Sequence, residues 1–206
     1  MKIVTVLFFL AACQSGFAGG DTNIIAMSDW SKPVGNSDGH TLRVRMIVAY
    51  GRSAAFDGPH PETQVYLEFQ NVSSAIISPT QFYFDPKAGL RCAMRDANGL
   101  LLRPSGGNTL GTGTSWITLP YDSTIRLRAN HAGFGSTPGE GLVLMLHPEA
   151  EQYWWIRTGD TNTYYLSGTF TVTTPTNFVP KDIETARAVW SGTLELPRMK
   201  VYGSRQ

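Results

Sequence analysis

The sequence predicts an all-β fold, and three observations lead to this prediction. First, Ser-Gly-Thr followed by alternating apolar and polar residues occurs twice, at residues 166–172 and 190–196. A glycine followed by period-two alternation is typical of a strand with a bulge or a close backbone approach. Second, many other segments of the chain alternate with the same period. Third, only 16% of the residues are charged whereas 21 are glycine, a composition typical of β-rich and often exported proteins.

The N-terminus has the features of a targeting signal, which we assign to residues 1–18. Lys2 precedes an apolar run at residues 3–12 that is too short to span a bilayer as a helix. Residues Leu10 to Cys13 match a bacterial lipobox, in which the cysteine is acylated and becomes the new N-terminus, whereas cleavage after Ala18 would give an unlipidated protein. The lipobox is favoured because all four positions match. We therefore expect an exported protein of the cell envelope, lipid-anchored to the membrane, with a secreted or periplasmic soluble protein as the alternative.

Two further segments follow the signal. Residues 19–40 are rich in Gly, Asp, Ser and Asn and are predicted to be a tether. Residues 41–202 are predicted to be a single domain, because the roughly 190 residues left after the signal fit one domain. We expect nine or ten strands, and one short helical segment near residues 182–188. Patterns typical of strands occur near residues 41–50, 64–71, 80–85, 90–95, 100–103, 116–119, 125–128, 142–146 and 153–156, and in the two Ser-Gly-Thr copies.

The two Ser-Gly-Thr copies predict the closing strands of the domain. Their alternating apolar residues are expected to fill the core, and the aromatic residues that precede them, Tyr165 and Trp190, are both predicted to be largely buried. The alternating apolar residues are Phe170, Val172, Leu194 and Leu196.

Four short segments between residues 41 and 202 resemble bacterial immunoglobulin-like sandwich modules. They are an opening strand and turn at residues 66–71, a hairpin at 96–99, a corner at 119–123 and a tyrosine-led terminal strand at 164–172. The resemblance implies an immunoglobulin-like antiparallel β-sandwich, but the chain lacks the paired core cysteines of antibody domains. It implies a fold class and no activity.

Charge and cysteine content limit the possible partners. The formal net charge is +1 and no basic tract occurs, which argues against nucleic acid as a partner. The two cysteines are Cys13 and Cys92. With Cys13 acylated or removed, Cys92 has no intramolecular disulfide partner, and alternation places it on the buried face of a strand as a structural thiol.

Known chemical motifs are not found in the sequence. The four histidines have no zinc-site spacing, and the sequence contains neither a G-x-S-x-G elbow nor a phosphate-binding glycine loop. Asp160 and Asn162 supply only a fraction of a calcium loop. We therefore predict a protein that is not an enzyme, with no catalytic residues, no metal site and no cofactor.

The densest aromatic segment, Tyr153, Trp154 and Trp155, is the predicted ligand-binding site. Adjacent strand residues point to opposite faces, so only one of the two tryptophans can fill the core and the other could stack on a sugar ring or a protein partner. The predicted function is a non-catalytic structural or ligand-binding module at the bacterial cell envelope. One alternative is a carbohydrate-binding module that uses Trp154 and Trp155. Another is a protein-partner or protease-inhibitor-like binding module that presents loops 104–114 or 131–141. The expected partners are the membrane lipid, if Cys13 is acylated, and a cell-wall glycan or envelope protein.

Overall fold

The computed structural model describes residues 23–52, 61–77, 79–106, 113–131, 134–137, 141–149, 152–157, 162–178 and 187–202. Within these ranges the chain forms fifteen strands and one four-residue helix, α1, at Pro86–Gly89. The strands are β1 (Asn23–Met27), β2 (Val34–Gly35), β3 (Thr41–Arg52), β4 (Pro61–Asn71), β5 (Thr80–Phe84), β6 (Leu90–Asp96), β7 (Leu101–Leu102), β8 (Ser105–Gly106), β9 (Ser115–Leu119), β10 (Thr124–His131), β11 (Phe134–Thr137), β12 (Gly141–Glu149), β13 (Gln152–Arg157), β14 (Thr163–Val172) and β15 (Gly192–Tyr202). The predicted all-β fold is therefore confirmed.

The first sheet is built on the two long strands β3 and β4. Its order is β1-β3-β4-β10, β2 also pairs with β3, and every pairing is antiparallel. The apolar residues at positions 42, 44, 46 and 48 of β3 are fully buried, whereas Arg43 and Arg45 between them are half-buried. Period-two alternation therefore predicted correctly which face of this strand meets the core.

The second sheet contains both Ser-Gly-Thr strands, in the order β15-β14-β6-β7. They pair antiparallel with each other, and the register shifts between Leu166 and Gly168, where β15 carries one extra residue between Leu196 and Met199, so the first glycine lies opposite a bulge in its partner strand. A Cβ atom added to Gly168 would overlap the carbonyl oxygen of Arg91 on β6. The expected close backbone approach is confirmed at this position, and the bulge lies in the strand opposite the glycine.

One hydrophobic core joins the sheets face to face. It combines residues of the first sheet, the second sheet and the two-stranded sheet β5-β9 with Trp154 of β13. Phe69 from β4 lies at its centre, with ring centroids 4.8 Å from Phe82, 6.0 Å from Phe84 and 5.4 Å from Phe170. Tilted and edge-on ring packing of this kind stabilises a core beyond the area it buries. A fourth sheet, β11-β12-β13-β8, completes the described fold.

The structure corrects the predicted tether. Residues 23–40 contain β1 and β2, both paired with β3, so this part of the chain belongs to the domain. Ser28 and Ser31, between the two strands, donate their backbone N–H groups to the Met46 and Val44 carbonyls. The segment looked like a linker because its polar residues make hydrogen bonds to β3 rather than alternating with apolar ones.

Other expectations are met in part. Trp190 is fully buried, as predicted, but Tyr165 is only half-buried, and the Arg198 guanidinium lies 3.4 Å from its ring centroid. Arg198 thus covers a ring that the core does not enclose. Cys92 is also half-buried, although it packs against the core. The helical segment expected near residues 182–188 lies mostly outside the described residues, and only 187 and 188 are seen to be helical.

Candidate functional site

Of the three residues in the predicted aromatic site, only Trp154 has a described side chain, and it is buried. Residues 153–155 lie in the middle of β13, as expected. Trp154 is the core member of the pair, since it is 4% exposed and its indole Nε1–H donates to the Leu102 carbonyl over 3.1 Å. Its ring is therefore not available to a surface ligand. The side chains of Tyr153 and Trp155 lie outside what the structure describes, as does Cys13.

A different aromatic site lies on the two-stranded sheet β5-β9. Tyr83 and Trp116 are directly opposite each other in the register of these strands. The strand pattern explains their position, because Phe82 and Phe84 on either side of Tyr83 are buried in the core and strand residues alternate between faces. Tyr83 therefore points outward, and Trp116 on the same face is 38% exposed.

A third ring comes from the connection that follows β14. Phe178 packs against Trp116 with ring centroids 4.4 Å apart at 38°, and the ring centroid of Tyr83 lies 5.4 Å from that of Trp116, at 56°. Phe178 is positioned by a turn in which its backbone N–H donates to the Pro175 carbonyl over 3.0 Å. Since the rings are tilted relative to one another, they form a concave surface.

These rings line a surface groove of about 430 Å³, which we call the aromatic groove. Its lining residues are Tyr83, Trp116, Pro175, Asn177 and Phe178. None of them carries a charge at neutral pH, and the amide of the exposed Asn177 is a polar group at the rim. The volume lies within the range of small-ligand sites.

The outward face of the same two strands continues with uncharged polar residues. Gln81 and Thr118 are directly opposite each other, one outward position along from Tyr83 and Trp116. At the edge of β5 that does not pair with β9, the Trp190 backbone N–H donates to the Gln81 carbonyl over 2.7 Å and holds the strand in place. The aromatic groove is thus continuous with an amide and a hydroxyl that can donate and accept hydrogen bonds.

A buried polar network connects the first sheet to β5. The His40 Nδ1 atom lies 3.0 Å from the Thr80 hydroxyl, and both residues are buried. The Ser73 hydroxyl lies 3.4 Å from that of Thr80 and accepts the Thr41 backbone N–H. Burial lowers the pKa of His40 below its ordinary value of 6.5, and the Asp38 carboxylate opposes the shift. The network is enclosed, so it suits a structural role.

The outer face of the first sheet carries a compensated charge cluster. Glu68 is 6% exposed and pairs with Arg45 from β3 and with Arg126 from β10, at 3.0 Å for the second pair. Trp30 lies beneath the guanidinium groups of Arg43 and Arg45, at 4.9 Å and 4.5 Å from its ring centroid. These arginines contact protein groups rather than a ligand, so the cluster stabilises the pairing of neighbouring strands.

Neither a metal-binding group of side chains nor a membrane-spanning helix is found among the described residues. Among those residues no group of three or more His, Cys, Asp or Glu side chains is arranged to hold a metal ion. No helix within the described ranges is long and apolar enough to cross a bilayer.

Four of the five tryptophans, at positions 30, 116, 154 and 190, have described side chains, and Trp116 is the most exposed of them.

Sequence reasoning did not identify the aromatic groove, because its residues come from three segments that are far apart in the chain. Trp116 is predicted only as part of a strand, and Phe178 lies outside every predicted strand. The one available signal was the run of aromatic residues around Tyr83, in which alternation forces the middle ring outward. Comparison of the chain with protein-family models, with curated proteins and with solved structures finds no significant match.

Proposed function

We propose that this protein is a non-catalytic binding module of the bacterial cell envelope and that it binds its ligand in the aromatic groove. The observation that carries the proposal is the uncharged groove of about 430 Å³ with the half-exposed Trp116 at its centre. Exposed aromatic side chains gathered in a concave site mark recognition surfaces more often than structural ones. Within this proposal the domain is an immunoglobulin-like sandwich that serves as a scaffold.

The targeting segment supports the location at the envelope. Its apolar run and the four matching lipobox positions favour export and acylation at Cys13, with cleavage after Ala18 as the alternative. Cys13 lies ten positions before Asn23, the first residue of β1. An extended link of ten residues reaches at most about 35 Å, so an acylated chain would hold the domain close to the membrane.

The direction of β3 favours a groove that faces away from this anchor. Asn23 pairs with Tyr50 at one end of β3, whereas Val34 of β2 pairs with Leu42 near the other end. The Trp190 indole donates to the Val34 carbonyl, and Gly192 two residues later pairs with the last residue of β14. The turn that carries Phe178 leaves β14 at this second end. About eight residues of strand, roughly 26 Å, therefore separate the two ends.

The proposal is tested by sedimentation with washed bacterial envelope fragments. The mature chain, prepared without acylation at Cys13 so that no lipid anchor contributes, is expected to sediment with the fragments, and Trp116→Ala is expected to lose this retention. The matched control is Tyr121→Ala, which removes another exposed aromatic ring, 50% exposed, outside the groove. Equal sedimentation of the wild type and Trp116→Ala would contradict a ligand site in the aromatic groove.

A further inference from the structure

We infer that the ligand of the aromatic groove is a neutral polysaccharide whose pyranose ring stacks on Trp116. This inference rests on the proposed function and names the ligand class of the same site. Three properties of the groove carry it: the available ring face, the absence of charge in the lining, and the uncharged hydrogen-bonding groups beside the rings.

The ring face is the first property. The indole of Trp116 packs against Tyr83 and Phe178 and is 38% exposed, so part of its surface is free for a ligand. A pyranose ring presents C–H groups on its faces and hydroxyl groups around its edge. The C–H groups carry a small positive charge and pack against the negative face of an aromatic ring.

The absence of charge is the second property. The groove is lined by Tyr83, Trp116, Pro175, Asn177 and Phe178. Nucleic acids, lipid headgroups and anionic polysaccharides are bound through cationic side chains, and no lysine or arginine is among the described residues that line this groove. On the outer face of the first sheet, Arg43, Arg45 and Arg126 are paired with Glu68 or Gln70. A neutral ligand therefore fits the site better than an anionic one.

The hydrogen-bonding groups are the third property. Asn177 lies at the rim, and Gln81 and Thr118 follow the aromatic pair along the same outward face of β5 and β9. Amide and hydroxyl groups both donate and accept hydrogen bonds, which matches the dual character of sugar hydroxyls. Their position one step along the strands favours a ligand that extends beyond a single ring, such as a chain of sugars.

Affinity electrophoresis tests the ligand class directly. The mature chain is run through native gels that contain glycol chitin, hydroxyethylcellulose or dextran as neutral polymers, and alginate as an anionic polymer. We expect at least one neutral polymer to retard the chain. We expect no retardation in the gel that contains alginate. Absence of retardation by all three neutral polymers, or retardation by alginate alone, would overturn the assignment.

Variants at position 116 test the stacking contact. Trp116→Ala should weaken binding on the order of tenfold, the scale of one aromatic stack, whereas Tyr121→Ala should leave it unchanged. Trp116→Phe should retain part of the affinity and Trp116→Leu should lose it, although both keep an apolar side chain. Thermal unfolding of each variant shows whether it is folded. Equal binding by the Phe and Leu variants would contradict stacking and indicate a merely apolar contact.

Treatment of envelope fragments separates failure of the ligand class from failure of the function. Periodate cleaves sugars that carry vicinal diols, a muramidase cleaves 1,4-linked 2-acetamido sugar chains that lack such diols, and a protease removes accessible protein. Retention that is lost after periodate or muramidase and kept after protease supports the polysaccharide. Retention that depends on Trp116 but is lost after protease would overturn the polysaccharide and leave the binding module standing.

Discussion

Substitution of Gly168 by alanine tests how closely β14 approaches β6. A Cβ atom at this position would lie roughly 1 Å inside the 3.0 Å limit below which Cβ atoms are essentially never found, and its neighbour is the backbone oxygen of Arg91. It would also lie 3.1 Å from the Cα atom of Cys92. Because both contacts are backbone atoms, no side-chain rotation relieves them, and β6 must move away from β14.

The cost of that movement follows from two terms. Overpacking of a close contact costs about 1–3 kcal/mol, and weakening two or three ladder hydrogen bonds adds about 1–2 kcal/mol. Alanine lowers the entropy of the unfolded chain, which offsets about 0.4–1 kcal/mol. We therefore expect Gly168→Ala to lower the free energy of unfolding by about 2–4 kcal/mol, a large part of the 5–15 kcal/mol typical of a domain.

Urea unfolding followed by tryptophan fluorescence measures this change, since Trp154 and Trp190 are buried and report on the core. With a slope of about 1–3 kcal/mol per molar urea, the midpoint should fall by about 1–2 M. Gly113→Ala is the matched control, because an added Cβ there meets nothing within 4 Å and its φ angle is not positive. If the two variants unfold at the same urea concentration, the close approach of β14 to β6 is refuted.

Three further predictions concern charge and processing. Burial lowers the pKa of His40 below 6.5, so the contribution of the neutral ring to the free energy of unfolding is fully present above pH 6.5 and is lost as the pH falls through the lowered pKa. In urea titrations at several pH values, the free energy of unfolding of His40→Asn should therefore depend less on pH than that of the wild type. A wild-type curve no steeper than that of His40→Asn would contradict this. Glu68→Gln leaves two arginines without their carboxylate and should lower the free energy of unfolding by about 2–4 kcal/mol in the same assay; a change below about 0.5 kcal/mol would show that the cluster is merely a surface ion pair. Mass analysis of the mature N-terminus should find an acylated Cys13 that is absent in Cys13→Ala, whereas an unmodified terminus after Ala18 would mean free secretion.

The long strands could be predicted from the sequence because one face of each meets a continuous core. In β3 and β4 strict alternation predicted the inward residues, and the structure buries them. The close backbone approach at Gly168 could also be predicted, since a glycine within a strand indicates such an approach. Such features depend on local chemistry, so a single sequence is sufficient to recognise them.

Features that depend on the relation between distant segments could not be predicted. Alternation showed that Trp154 and Trp155 face opposite ways, but only the fold shows that Trp154 faces the core. The strand β1 was hidden because an edge strand needs only one partner, and β3 is long enough to supply it. The aromatic groove could not be predicted because Phe178 and Trp116 are far apart in the chain, and no local pattern indicates that their rings are in contact.

The place of β15 in the fold sets the order in which the chain can fold. This last strand pairs with β14 and also contacts β1 and β3, so the first and last described strands of the chain meet. Its residues Leu194, Leu196, Met199 and Val201 are buried, and the core is incomplete without them. Contacts so distant in sequence form slowly, and a chain still being synthesised cannot form them. A chain with this topology therefore completes its core only after the residues of β15 have been synthesised.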